Sequence, residues 1–120
     1  MDTVRAPRSF AARVEARRVL LAKGTERIVS ICRRMADVRA VYIFGSYARG
    51  EFGTRSDLDV LIVRETKLRR LDRDLDLRLA FDVPIGIDII VVTPSELTER
   101  LPLTGFGQTI LREARKVYAA

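Results

Sequence analysis

Between Ser9 and Met35 the apolar residues Leu20, Ile28, Ile31, Cys32 and Met35 recur at helical spacing, with Arg17, Arg27, Arg33 and Arg34 among the polar positions between them. Ser9 supplies a hydroxyl for an N-cap, and a break is expected near Gly24. Past Arg39 the period shortens. Ala40 to Phe44 (AVYIF) is a β-branched and aromatic run that stops at Gly45-Ser46, which predicts a buried strand followed by a turn. Leu58 to Val63 (LDVLIV) predicts a second strand. Thr66 reads as the cap of a helix on which Leu68, Leu71, Leu75 and Leu79 form one apolar stripe, supported by Arg70–Asp74 and Asp74–Arg78 at i,i+4. Pro84 ends that helix and Ile85 to Val92 predicts a third strand. Thr93-Pro94-Ser95-Glu96 has the form of a capping box with proline at the first helical position, opening a short helix that stops before Pro102. A last helix from about Phe106 to Ala114 leads to a strand-like end at Val117-Tyr118.

Helices alternating with a few apolar strands predict an α/β (α+β) domain, a small mixed sheet with helices packed on it. The chain has 120 residues, room for a single domain over 1–120, with a basic helical segment at 1–36 and the sheet with its helices at 40–118. With 48% hydrophobic residues it has the composition of a folded chain.

Charge and reactive side chains narrow the chemistry. There is no His, no Trp and a single Cys, Cys32, which lies on the apolar stripe and reads as a small core residue. Absence of His excludes Ser/His/Asp and Cys/His nucleophile pairs and His-ligated zinc, and one Cys excludes an internal disulfide. Any metal is therefore held by oxygens. The net charge is +6, and it sits in the first third: residues 1–40 carry ten basic and four acidic side chains, residues 41–120 twelve of each. That basic face reads as a solvated helix surface or as a docking surface for an acidic partner or nucleic acid. No segment has the apolar length of a membrane span or a signal peptide, so a cytoplasmic protein is expected.

The segment Gly45 to Val63, GSYARGEFGTRSDLDVLIV, carries the chemistry. Asp57 and Asp59 are two residues apart at the start of a strand, so both carboxylates point to one face. Their repulsion is relieved by solvent, by pairing with neighbouring Arg55, or by a divalent ion, for which all-oxygen ligation favours Mg²⁺ or Mn²⁺. Gly45-Ser46, at the end of the preceding strand, can present backbone N–H groups and a hydroxyl to a phosphate, with Arg49 adding charge there or pinning the loop through Glu51. Asp88 sits inside an aliphatic strand and needs a partner, either an arginine or the same metals. Asp82 is a weaker candidate in a loop.

Gly45-Ser46, Ala48-Arg49-Gly50, Asp57-Leu58-Asp59 and a later strand bearing Asp88 resemble the minimal nucleotidyltransferase domains of the DNA polymerase β superfamily. The likeness runs from about Ile28 to Tyr118. It implies transfer of a nucleoside monophosphate, AMP from ATP above all, to an acceptor hydroxyl. Two Mg²⁺ ions (Mn²⁺ as the substitute) would be held by Asp57, Asp59 and Asp88, with the nucleotide's phosphates at Gly45, Ser46 and Arg49. Free-standing domains of this kind act as antitoxins that adenylylate a tyrosine of a helical HEPN-type RNase toxin, so a separate partner protein is the expected acceptor. The other readings are a noncatalytic nucleotide- or partner-binding module and an RNA-binding protein using the basic N-terminal helix.

Overall fold

A computed structural model describes residues 9–120. The first helix, α1, runs Phe10–Cys32 with the Ser9 hydroxyl accepting from the Ala12 N–H. It does not break at Gly24. That residue is buried against the sheet, where an added Cβ would stand 2.9 Å from the tip of Ile85, so the glycine that weakens the helix locally also lets it approach closely. The helix ends at Cys32, and Met35 follows in a turn, three residues earlier than the periodicity suggests. The first eight residues of the expected 1–36 segment lie outside the described residues.

Four strands follow: β1 (Val38–Phe44), β2 (Leu58–Arg64), β3 (Ile87–Val92) and β4 (Arg115–Ala119). They lie in the order β3-β2-β1-β4. β1 is antiparallel to both β2 and β4, while β2 and β3 are parallel. A parallel pair needs a long crossover, which residues 65–86 provide. The expected turn at Gly45-Ser46 is a one-turn helix, α2 (Gly45–Arg49), closed by Gly50 in the left-handed region. The strand-like C-terminal end is a full edge strand.

Alternation along the strands sorts the core into two layers. Val38, Val41, Ile43, Leu58, Val60 and Ile62 pack under α1 with its Leu21, Ile28 and Cys32. Burial pushes the Cys32 thiol up to about 11, as a small core residue requires. Ala40, Phe44, Leu61, Val63 and Val92 face the other way, toward α4 (Pro94–Glu99) and α5 (Gly105–Glu113). α4 carries the expected capping box, with Thr93 and Glu96 exchanging side-chain to backbone bonds.

The crossover departs from expectation. In place of one helix from Thr66 there is a 3₁₀ turn at Arg70–Asp72 and a short helix, α3 (Leu75–Ala80), and the Thr66 hydroxyl accepts from the Leu68 N–H instead of capping a helix. Leu68, Leu71, Leu75 and Leu79 are exposed, Leu71 at 85%, and only Leu77 enters the core. The reason is electrostatic. Arg64 and Arg73 are buried here; Arg64 pairs with Asp37 and Asp76, and Arg73 donates to the Leu68 carbonyl and to Glu96. Satisfying those two guanidiniums sets the facing of the whole segment. Asp74–Arg78 forms as expected, whereas Arg70 lies 3.7 Å from Glu96 and is not bound to Asp74. No helix among the described residues is long and apolar enough to cross a membrane.

Candidate active site

Asp57 immediately precedes β2 and Asp59 is its second residue, so the strand's period of two places both on the face of Leu61 and Val63. Asp88 holds the same position in β3, on the face of Ile90 and Val92. In the parallel ladder Asp59 lies directly opposite Asp88. Their side chains are therefore neighbours on one face of the sheet. Partial burial first, then the Asp88 and Asp57 carboxylates, push the Asp59 carboxyl up to about 6, and Arg49 offsets this only weakly. Asp57 stands apart from this pair. Its half-exposed carboxylate is turned toward Arg17, 3.7 Å away, and not toward Arg55, one of the partners the sequence offers.

Gly45 has φ +76°, a conformation that favours glycine, and its α-carbon abuts the Asp59 carboxylate so closely that a Cβ has no room. This contact ties the Gly-Ser turn to the Asp-x-Asp strand, with Phe44 in register opposite Asp59. No side chain caps α2, so its first N–H groups point out of the turn without an intrahelical partner, next to Ser46. Arg49 is held by carboxylates on both sides: Nε donates to Glu51 and Nη1 to Glu113 of α5, each at 3.0 Å. Of its two expected roles the structure displays the second, pinning the loop, and it adds a link to α5. Asp82 pairs with Arg27 on the surface, away from the three carboxylates.

Two contributors are absent from the sequence reading. Arg17 of α1 donates from Nε to the Ser56 carbonyl at 2.8 Å and so braces the approach to Asp57 from outside the motif. Gly86, just before β3, lies under Asp57, where a Cβ would meet the carboxylate oxygen at 2.5 Å. A glycine inside the aliphatic run Ile85 to Val92 is the signal for such a close approach. Arg17 offers no comparable signal, because its partner is a backbone carbonyl 39 positions away.

A hard divalent cation fits the donor type, since Asp57, Asp59 and Asp88 offer only oxygens, and Asp59 is raised by burial and by neighbouring carboxylates whose charge a cation would neutralise. The side chains share one face without forming a finished cage: among the described residues no group of three acidic or Cys side chains is gathered at metal-ligand spacing. Asp57 would have to turn from Arg17 to join the other two.

The sequence pattern of the polymerase beta nucleotidyltransferase family matches residues 26–118. The chain is 32% identical over 81 residues to protein adenylyltransferase MntA of Thermococcus cleftensis, an alignment covering 68% of this chain and 76% of that one. It is also 32% identical over 82 residues to the Methanocaldococcus jannaschii protein MJ0604, provisionally named a protein adenylyltransferase, covering 68% and 79%. Among solved structures the fold is shared with a Sulfolobus solfataricus chain described provisionally as a nucleotidyltransferase (TM-score 0.65, 20% identity, 95% and 90% covered). It is shared too with a chain of a toxin–antitoxin crystal structure containing AMP-PNP (TM-score 0.57, 20% identity, 80% and 73% covered). With the Gly-Ser turn seated on the second Asp of an Asp-x-Asp strand and a third Asp opposite it, this chain belongs to the polymerase beta nucleotidyltransferase family.

Proposed function

We propose that residues 1–120 act as one cytoplasmic domain that transfers AMP from ATP to a hydroxyl on a separate partner protein, as the antitoxin of a pair with a HEPN-type RNase toxin. The observation that carries the chemistry is the Asp59–Asp88 register pair with Asp57 beside it, three carboxylates on one sheet face under a turn of free N–H groups. The protein partner is supported by the adenylyltransferase names of the relatives and by the toxin–antitoxin setting of the structural neighbour.

Mg²⁺, held by Asp57, Asp59 and Asp88 when bound, supplies Lewis-acid stabilisation to the phosphoryl oxygens in such a reaction. The protein's own groups do the rest. Asp88, exposed on edge strand β3, is open to a partner's hydroxyl and accepts its proton as the oxygen attacks the α-phosphorus. The bond from that phosphorus to the bridging oxygen breaks, and pyrophosphate leaves toward Ser46 and the first N–H groups of α2. Gly45 permits this approach because no side chain stands between the turn and Asp59. Arg49, clamped by Glu51 and Glu113, keeps α2 fixed against α5 while charge moves past it.

The test is label transfer. Incubated with Mg²⁺ and a HEPN-type partner, α-labelled ATP should mark the partner and γ-labelled ATP should not. Asp59→Asn should abolish the mark. ATP binding without transfer to any protein would contradict the reading.

A further inference from the structure

A second cluster of charge lies on the other side of Asp57. Arg13 and Arg17 are four residues apart on α1, so their guanidiniums emerge on one face of the helix. Arg55 approaches from the loop that leads into β2. The three border a cleft of about 330 Å³ whose remaining lining is Ala16, Leu20 and Thr54. That lining contains three guanidiniums, a hydroxyl and no carboxylate. Arg17 forms its floor, 17% exposed, with Nε spent on the Ser56 carbonyl and the rest of its fork of donors uncommitted except for the 3.7 Å approach to Asp57. Arg13 and Arg55 are exposed, and neither is ion-paired among the described residues.

Three like charges around one cleft repel, and the arrangement is complementary to a compact polyanion. Its place says which. Gly45 of α2 touches Asp59 and Arg17 of α1 reaches Asp57, so the two elements flank the same pair of carboxylates. A phosphate chain starting at those carboxylates and passing the end of β2 would run from the N–H groups of α2 toward the guanidiniums of α1. We infer that Arg13, Arg17 and Arg55 form a polyphosphate site that takes the far end of the phosphate chain, the terminal phosphate of the nucleoside triphosphate and then the outer phosphate of the leaving pyrophosphate, beyond the part held at Ser46 and α2. This rests on the nucleotidyl-transfer reading for its ligand, but not on any acceptor. Arg13 and Arg17 lie before residue 26, outside the residues that match the family pattern.

The experiment is calorimetric titration of the full chain in EDTA with inorganic tripolyphosphate, ATP and AMP. The variants are Arg13→Gln/Arg55→Gln, exposed positions whose change leaves the core intact, and Arg17→Lys. Wild type should bind tripolyphosphate and ATP, and the double variant should weaken both by about tenfold or more while leaving AMP affinity unchanged. Arg17→Lys should retain part of the affinity, since the charge stays and the fork is lost. Asp59→Asn should lose transfer and keep tripolyphosphate binding, which separates this site from the catalytic one. If wild type transfers no AMP but binds tripolyphosphate through these arginines, the site stands and the transferase reading falls. Equal tripolyphosphate affinity in wild type and double variant would overturn the proposal. So would a single-stranded oligoribonucleotide that binds through the same arginines while tripolyphosphate does not.

Discussion

Asp57 lies over Gly86 so closely that the glycine has no room for a side chain: a Cβ there would stand 2.5 Å from the Asp57 carboxylate oxygen. The glycine's backbone carbonyl also accepts from the Leu58 N–H, so it fixes the strand start as well as the room above it. Gly86→Ala should therefore swing Asp57 away without unfolding the sheet. We expect at least a tenfold loss of transfer with a melting shift of a few degrees, about 1 kcal/mol. Activity and thermal melts on one preparation check this; a loss of activity only in proportion to unfolding would contradict it.

The raised Asp59 carboxyl makes a pH prediction. A carboxylate whose folded pKa, about 6, lies above its unfolded value favours the folded state at low pH, and that contribution is lost as pH rises from about 4 through 6. Asp59→Asn removes the partly buried charge, and with it the repulsion from Asp88 and Asp57, at all pH. The variant should thus be more stable than wild type at pH 7, the difference shrinking as pH falls toward 4. Denaturant titrations at pH 4, 5, 6 and 7 measure it, and a pH-independent difference would refute the cause assigned.

Arg49 is an exposed clamp, and such pairs contribute little to stability, about 0–1 kcal/mol. Glu113→Gln should consequently leave the melt almost unchanged while raising the KM for ATP several-fold, because α2 loses one of its two anchors. Initial rates against ATP concentration show this; an unchanged KM would reduce Arg49 to surface decoration.

Arg64 and the leucine stripe predict opposite responses in neighbouring residues. Asp76→Asn should destabilise by about 2 kcal/mol, since buried Arg64 loses a bidentate partner and keeps Asp37 and the Arg73 carbonyl. Asp76 is lowered in the fold by its bond to Arg64, so this stability is present above the ordinary carboxylate range and is lost as pH falls below it. Leu77→Ala should cost about 2–5 kcal/mol, whereas Leu71→Ser and Leu79→Ser should fall within about 0.5 kcal/mol of wild type. Urea midpoints of the four variants settle the comparison.

These contrasts show what the sequence makes legible. The strands were readable because AVYIF, LDVLIV and IDIIVV are dominated by strand-forming residues, and the Thr93 capping box because its signal is local. The Asp-x-Asp carboxylates were readable because a period of two is enough to orient them. The crossover departs from its pattern for a physical reason: the Leu68 to Leu79 spacing is helical, but two buried arginines 9 positions apart, with partners at Asp37, Asp76 and Glu96, outweigh it, and no pattern within the segment announces those partners. Arg17 is hidden likewise, since it acts near Asp57 through a contact that exists only after the sheet is assembled, whereas Gly86 is announced by its place inside an aliphatic run.

In the proposed function, Asp57, Asp59 and Asp88 move AMP from ATP onto a hydroxyl of another protein. Intact-mass spectrometry of a HEPN-type partner, before and after incubation with this chain, ATP and Mg²⁺, tests it most directly. A mass increase of one or more AMP units, located on a hydroxyl side chain and absent with Asp57→Asn, Asp59→Asn or Asp88→Asn, is the predicted result. An unmodified partner in a mixture where the chain binds both ATP and that partner would contradict it.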